Sequence, residues 1–147
     1  MKAVDTNILV YAFHADFEQH EAAKRAIAIL ISQGEAWGIP SPCLHEFLAT
    51  VTRRKYLSHP ATMPEALDFL HALQRDYGGF VLDESALHFS TLEQILLASG
   101  VTGAKVHDAR IAAICRDHAV QELLTADRDF GYFPWLDAVN PLVASGR

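Results

Sequence analysis

The chain has 147 residues, 50% of them hydrophobic and 20% charged, which suits one compact domain over residues 1–147 and excludes two full-sized ones. A chain of this length buries roughly 68–70% of its extended-chain surface on folding, so its core needs neither disulfides nor a structural metal. Its 12 Lys and Arg against 18 Asp and Glu leave a formal charge of −6, which excludes a nucleic-acid binder built on a broad basic stripe but not an enzyme acting locally on nucleic acid.

In chain order, short apolar runs alternate with longer helical patterns, the signature of a parallel sheet covered on both faces, hence an α/β fold. Lys2–Val4 reads as a first strand ending at Asp5. Helices over Asn7–Phe13 and Glu18–Gln33 follow, the second with Ala22, Ala26, Ile29 and Leu30 as its apolar stripe and Gly34 as its stop. Ala36–Ile39 is a second strand, and Pro40 and Pro42 lead into a helix over Cys43–Arg53. A loop at Ser58–Pro64 precedes a helix over Glu65–Asp76, strand Phe80–Leu82 and helix Ser85–Ala98. The connector Gly100–Lys105, helix His107–His118, strand Glu122–Thr125 and a closing strand near Ala138–Val139 complete the pattern, without internal repeats or domain linkers.

Cys43 and Cys115 stand apart, with no CxxC spacing that would build a disulfide framework or a zinc ribbon. No leader peptide is legible, and the longest apolar runs fall far short of the roughly 20 residues of a membrane helix. The expectation is a cytoplasmic protein with buried, reduced thiols and no membrane partner.

Ligands in open α/β sheets bind beyond the carboxyl ends of the strands, and four acids fall there. Asp5 ends the first strand, Glu46 lies one turn into the helix after the second, Asp108 opens the helix after the Gly100–Lys105 connector, and Asp127 follows the strand Glu122–Thr125. Each has an ordinary reading taken singly: a helix cap for Asp5, a dipole-favoured first-turn acid for Asp108, a solvated face for Glu46, a polar turn for Asp127. Asp108 also lines up at helical spacing with Ile111, Ala112, Cys115 and Ala119, an apolar stripe on which an acid needs a partner. As a set the acids imply a cation, because two carboxylates about 6 Å apart repel by roughly 2.8 kcal/mol at an effective dielectric near 20. Oxygen donors without paired Cys or an HExxH helix match Mg²⁺ or Mn²⁺ rather than Zn²⁺, and metal-assisted phosphodiester hydrolysis is the expected chemistry.

Val4-Asp5-Thr6-Asn7, Glu46 after Ser41-Pro42, His107-Asp108-Ala109-Arg110-Ile111-Ala112-Ala113 and Thr125-Ala126-Asp127-Arg128-Asp129-Phe130 together resemble the PIN-domain ribonucleases, and more closely the VapC-type toxins of type II toxin–antitoxin pairs. The resemblance spans nearly the whole chain. It implies a three-layer α/β/α domain with a central, mainly parallel sheet and a Mg²⁺- or Mn²⁺-dependent endoribonuclease cutting structured RNA such as tRNA or rRNA. On the matching positions Asp5, Glu46, Asp108 and Asp127 are the catalytic acids, with Asp5, Asp108 and Asp127 as metal ligands. Thr6, Asn7 and Thr125 support them, and Asp129 is a reserve ligand. The Ala119–Leu124 stretch carries one residue more than the commonest family spacing.

For RNA contact the local cations are Arg53, Arg54 and Lys55, with Tyr56 as a stacking surface, and Lys105, Arg110 and Arg128 beside the acids. Arg53–Lys55 also read as a plain solvated cluster at a helix end. His45 and His107 adjoin Glu46 and Asp108 but point elsewhere on their helices, so neither is expected to be a ligand or base. The resemblance further implies a VapB-type antitoxin and a possible homodimer. An amphipathic antitoxin segment would lie in a groove between the early helices, with Phe13, Phe17, Phe47 and Leu57 as candidates if they are not core. Two other readings compete: a PIN-like module that binds RNA or protein without cutting, and an aspartyl phosphatase. The first is opposed by the complete set of acids. The second lacks the further acid two residues after Asp5.

Overall fold

A computed structural model describes residues 1–54 and 58–143. Five strands, β1 (Lys2–Val4), β2 (Trp37–Pro40), β3 (Phe80–Leu82), β4 (Glu122–Leu124) and β5 (Asp137–Val139), form one sheet in the order β3-β2-β1-β4-β5. Every pairing is parallel, so the sheet is wholly rather than mainly parallel. Among the described residues six helices connect it: α1 (Thr6–Phe13), α2 (His20–Ser32), α3 (Ser41–Val51), α4 (Met63–Arg75), α5 (His88–Ser99) and α6 (Lys105–Asp117). Right-handed crossovers put the helices of leftward and rightward connections on opposite faces. Accordingly α1 packs on α2 and α3, and α3 on α4, while α5 packs on α6. This is the expected α/β/α sandwich.

The strands are only three or four residues long, and the central ones are buried on both sides; Ala3, Val4, Ile39 and Leu123 are fully inaccessible. In β2, Gly38 is there for space. A Cβ at Gly38 would stand 2.7 Å from both the Leu82 side chain and the Phe80 carbonyl oxygen of the adjacent strand. Phe47 of α3 is fully buried, in edge contact with Phe13 of α1 and stacked on Phe69 of α4. That ties three helices into one layer and removes Phe47 from any partner surface. Phe13 is half-buried in the same cluster, and Phe17 is half-buried against Tyr11. Leu57, like Lys55 and Tyr56, lies outside the described residues.

Several boundaries and faces differ from the sequence expectation, each for a local reason. The buried stripe of α2 is Ala23, Ala26, Ile27 and Leu30, whereas Ala22 is half-buried and Ile29 is 57% exposed. The helix is rotated so that Ile27 meets the core. Helix α3 starts at Ser41 and stops at Val51, which leaves Arg53 and Arg54 exposed beyond its end. Helix α4 begins with a capping box in which Thr62 Oγ1 accepts from the Glu65 amide and the Thr62 amide donates to Glu65 Oε1. Helix α5 begins at His88 rather than Ser85, because the Ser85 hydroxyl is committed to Asp117 Oδ2 at 2.7 Å. It ends at Gly100, whose φ of 72° makes the left-handed cap. Ala119 leaves the α6 stripe, exposed beyond the helix end with a φ of 56°. A short 3-10 helix, Arg128–Tyr132, has no periodic signal in the sequence.

Candidate metal-dependent active site

The strand order reverses beside β1: β2 lies on one side of it and β4 on the other. That crevice, at the carboxyl ends of the strands, is where open α/β sheets receive ligands. Asp5 follows β1 and caps α1, accepting the Thr6 amide on Oδ1 at 2.8 Å. Thr125 follows β4 and donates its hydroxyl to Asp5 Oδ2 at 2.6 Å, closing the crevice from the other strand. Cys43 of α3 donates Sγ–H to Asp5 Oδ1 at 3.4 Å. Burial pushes the Cys43 thiol well above its ordinary range, and the Asp5 charge pushes it further, so it stays a protonated donor. From sequence, Cys43 is expected in the core with no such role. Its signal is the position of a small donor in the first turn of the helix that carries Glu46.

Asp5 is 5% exposed. Burial raises its pKa, and the bonds from Thr125, Thr6 and Cys43 pull back in the opposite direction. Its neighbours are braced in turn. The Thr6 hydroxyl donates to Glu46 Oε2 at 2.8 Å, and Asn7 Oδ1 accepts the Ala126 amide at 3.1 Å. Thr125 Oγ1 accepts the Asp127 amide at 3.0 Å, and Asp127 Oδ1 accepts the Asp129 amide at 2.8 Å. Thr6, Asn7 and Thr125 thus link the β1 end to the β4 end.

A cleft of ~250 Å³ opens over this network, lined by Asp5, Thr6, Asn7, Glu46, Asp108 and Asp127 and walled by Val10, Tyr11, Phe17, Thr50 and Ile111. Next to the wall residue Phe17, Asp16 accepts Ser58 Oγ at 2.9 Å and His59 Nδ1 at 3.2 Å, which ties the α1–α2 turn to the segment before α4. Asp108, Asp127 and Asp129 each offer a carboxylate oxygen within 4.8 Å of the other two. Asp129, expected only as a reserve ligand, therefore stands in the one such acidic group among the described residues. Asp5 lines the same cleft outside that trio.

Burial first, then the charges of Asp127, Asp129, Asp5 and Glu46, push Asp108 up to about 6. Three acids so close, one of them driven towards its neutral form by the others, fit a hard divalent cation with oxygen ligands. The extra residue before β4 does not disturb this arrangement, because β4 pairs in register with β1 as Lys2 with Glu122, Ala3 with Leu123 and Val4 with Leu124.

Of the cations proposed from sequence, Arg110 is ion-paired with Glu84. Arg128 is exposed at the start of the 3-10 helix. Lys105 Nζ donates to Tyr132 Oη at 2.9 Å. His45 and His107 are exposed, off the cleft lining.

The PIN domain family matches residues 2–136. Among proteins of similar sequence, ribonuclease VapC43 of Mycobacterium tuberculosis is 29% identical over 142 residues, 97% of this chain and 96% of that protein. Among solved structures, VapBC2 from Rickettsia felis, bound to a DNA fragment from its promoter, superposes with a TM-score of 0.69 at 20% identity, over 95% of this chain and 97% of that one. VapC20 of Mycobacterium tuberculosis, described as a toxin that cleaves the sarcin–ricin loop, gives 0.64 at 22% identity over 89% and 93%. With the parallel sheet, the acids at its switch point and a family match over nearly its whole length, the chain belongs to the PIN domain family.

Proposed function

We propose that this chain is a Mg²⁺- or Mn²⁺-dependent endoribonuclease, the toxin of a VapBC-type toxin–antitoxin pair, acting in the cytoplasm on structured RNA such as tRNA or rRNA. The observation that carries this reading is the clustering of Asp108, Asp127 and Asp129, the first two of which line the crevice with the buried Asp5. These residues would hold the cation, which when bound supplies Lewis acidity to activate water and to neutralise charge on the phosphoryl oxygens. Without it, the cleft would repel RNA. Asp5, fixed by Thr6, Cys43 and Thr125, sets carboxyl oxygens at the base of the cleft. Glu46, with Oε2 engaged by Thr6, has Oε1 available to orient water or take its proton.

Asp5→Asn keeps the shape and an acceptor for the Thr6 amide but removes the ionisable carboxyl group. Manganese affinity and cleavage of total tRNA are expected to fall at least about a hundredfold, with the melting temperature little changed. The checks are calorimetric Mn²⁺ titration, gel-based cleavage and thermal unfolding. Undiminished cleavage by pure Asp5→Asn protein would sink the reading.

For the antitoxin, the supporting surface is an apolar groove of ~390 Å³ lined by Ala12, Ile27, Ala28, Ile31, Phe69 and Leu73 with Lys24 and Tyr77. Its shape and chemistry suit an amphipathic helix. Ala28 is exposed there, so Ala28→Arg fills the groove at little cost to α2. It is expected to abolish co-purification with the antitoxin while the free enzyme still cleaves. Retained co-purification would move the partner to another face.

A further inference from the structure

The two elements that carry the aspartate cluster meet a second time on its exposed rim. Lys105 opens α6 one turn before Asp108, and Tyr132 closes the 3-10 helix that holds Asp129. The Lys105 ammonium donates to the Tyr132 hydroxyl and lies 4.4 Å from the centre of its ring. Beside them is a separate cleft of ~420 Å³, floored by Gly100, Val101, Thr102 and Ala104 of the α5–α6 connector. That is within the roughly 300–1,000 Å³ of small-ligand sites. Gly100 and Gly103 in this connector hold φ of +72° and +63°, the left-handed region that glycine adopts without strain. Tyr132 is 47% exposed, so its ring contributes little to the core. Arg110 is already paired with Glu84, whereas Lys105 donates only to the Tyr132 hydroxyl, with Asp129 and Asp108 near enough to favour its charge.

We propose that Lys105 and Tyr132 form a nucleotide subsite for the RNA strand flanking the scissile phosphate, Lys105 taking a neighbouring phosphate and the exposed Tyr132 ring stacking on a base. This rests on the ribonuclease reading and deepens it. Substrate entering a cluster of aspartates on a chain of net charge −6 needs positive charge at the rim. Stacking on an aromatic ring accepts any base. A protein segment that neutralised the acids would bring cations of its own, which Lys105 would repel; the pair therefore favours a polyanion.

The test uses the full chain with Tyr132→Leu, Tyr132→Phe and Lys105→Gln. Manganese-dependent tRNA cleavage is measured as kcat and KM. Binding of a short single-stranded oligoribonucleotide is followed by anisotropy in the Asp5→Asn background over a KCl series. Tyr132→Leu is expected to raise KM about tenfold, with the loss carried by KM rather than kcat, while Tyr132→Phe stays close to the parent because the ring remains. Lys105→Gln should weaken binding and lower the slope of log affinity against log salt by about 0.7, one phosphate's worth for a single strand.

Parental KM and salt slope in active Tyr132→Leu and Lys105→Gln proteins would overturn the subsite and leave the ribonuclease reading intact. Loss of kcat together with Mn²⁺ affinity would overturn it too, making the pair a structural prop for the aspartates. Loss of antitoxin binding with RNA binding intact would reassign the rim to a protein. If the parent chain neither binds Mn²⁺ nor cuts RNA, the ribonuclease reading falls and the subsite with it.

Discussion

Asp108→Asn is expected to abolish Mn²⁺-dependent RNA cleavage, by on the order of a thousandfold or more, while raising the melting temperature of the metal-free chain at pH 7.5. Asparagine has nearly the same shape as aspartate but cannot add its charge to those of Asp127 and Asp129, whose oxygens lie within 4.8 Å. The sign follows from the pKa. Burial and the neighbouring acids raise folded Asp108 to about 6 from an ordinary 3.8, so folding favours its protonated form. The contribution of Asp108 to metal-free stability is therefore full below pH 4 and is lost as pH rises through 6. The amide in the Asp108→Asn protein has no proton to lose, so the stabilisation is greatest at pH 7.5 and vanishes towards pH 4.

In the parent, Mn²⁺ competes with that same proton. Its affinity should drop as pH falls below about 6, measurable by calorimetry at pH 5.0 and 7.5. Thermal melts of both proteins across this range check the rest. A lower melting temperature for Asp108→Asn at pH 7.5 would show that the carboxylate is a structural partner rather than a strained ligand. A higher one would mark a site that gives up stability for metal binding.

Phe47→Ala is the largest stability loss expected, about 3–5 kcal/mol out of a typical 5–15 kcal/mol for a domain. Phe47 has no exposed surface, and its ring lies 5.5 Å from that of Phe13 at 88° and 5.4 Å from that of Phe69 at 27°. Removing it takes away buried apolar area and two aromatic contacts and leaves a cavity between α1, α3 and α4. Because Glu46 precedes it on α3 and Phe69 lines the groove on α4, loosening this cluster should also weaken cleavage and antitoxin capture. Urea unfolding measures it as a lower midpoint at unchanged m-value. A loss below about 1 kcal/mol would mean that Phe13 and Phe69 close over the gap.

Much of this protein is legible along the chain because its signals are local. Alternation of short apolar runs with 3.6-residue patterns locates all five strands and six helices, and β1 and β3 match their expected ends. Errors cluster where side chains compete with the backbone or where a face is set by packing. Ser85 bonds to Asp117 in place of starting α5, and α2 turns Ile27 inward and Ile29 outward. The 3-10 helix at Arg128–Tyr132 is too short to show a period, and it carries both Asp129 and Tyr132.

The acids at the strand ends were determined by sequence alone, since position in a strand–turn–helix unit depends on neighbours a few residues away. Which of them stand together was decided only by tertiary structure. Asp5 and Thr125 are 120 residues apart and meet at 2.6 Å because β4 pairs with β1 on the side opposite β2. Asp129 joins Asp108 and Asp127, Cys43 supports Asp5, and Lys105 meets Tyr132 for the same kind of reason. Strand order and crossover hand set these distances. They arise from burying both faces of the whole sheet at once, a condition that no short stretch of sequence expresses.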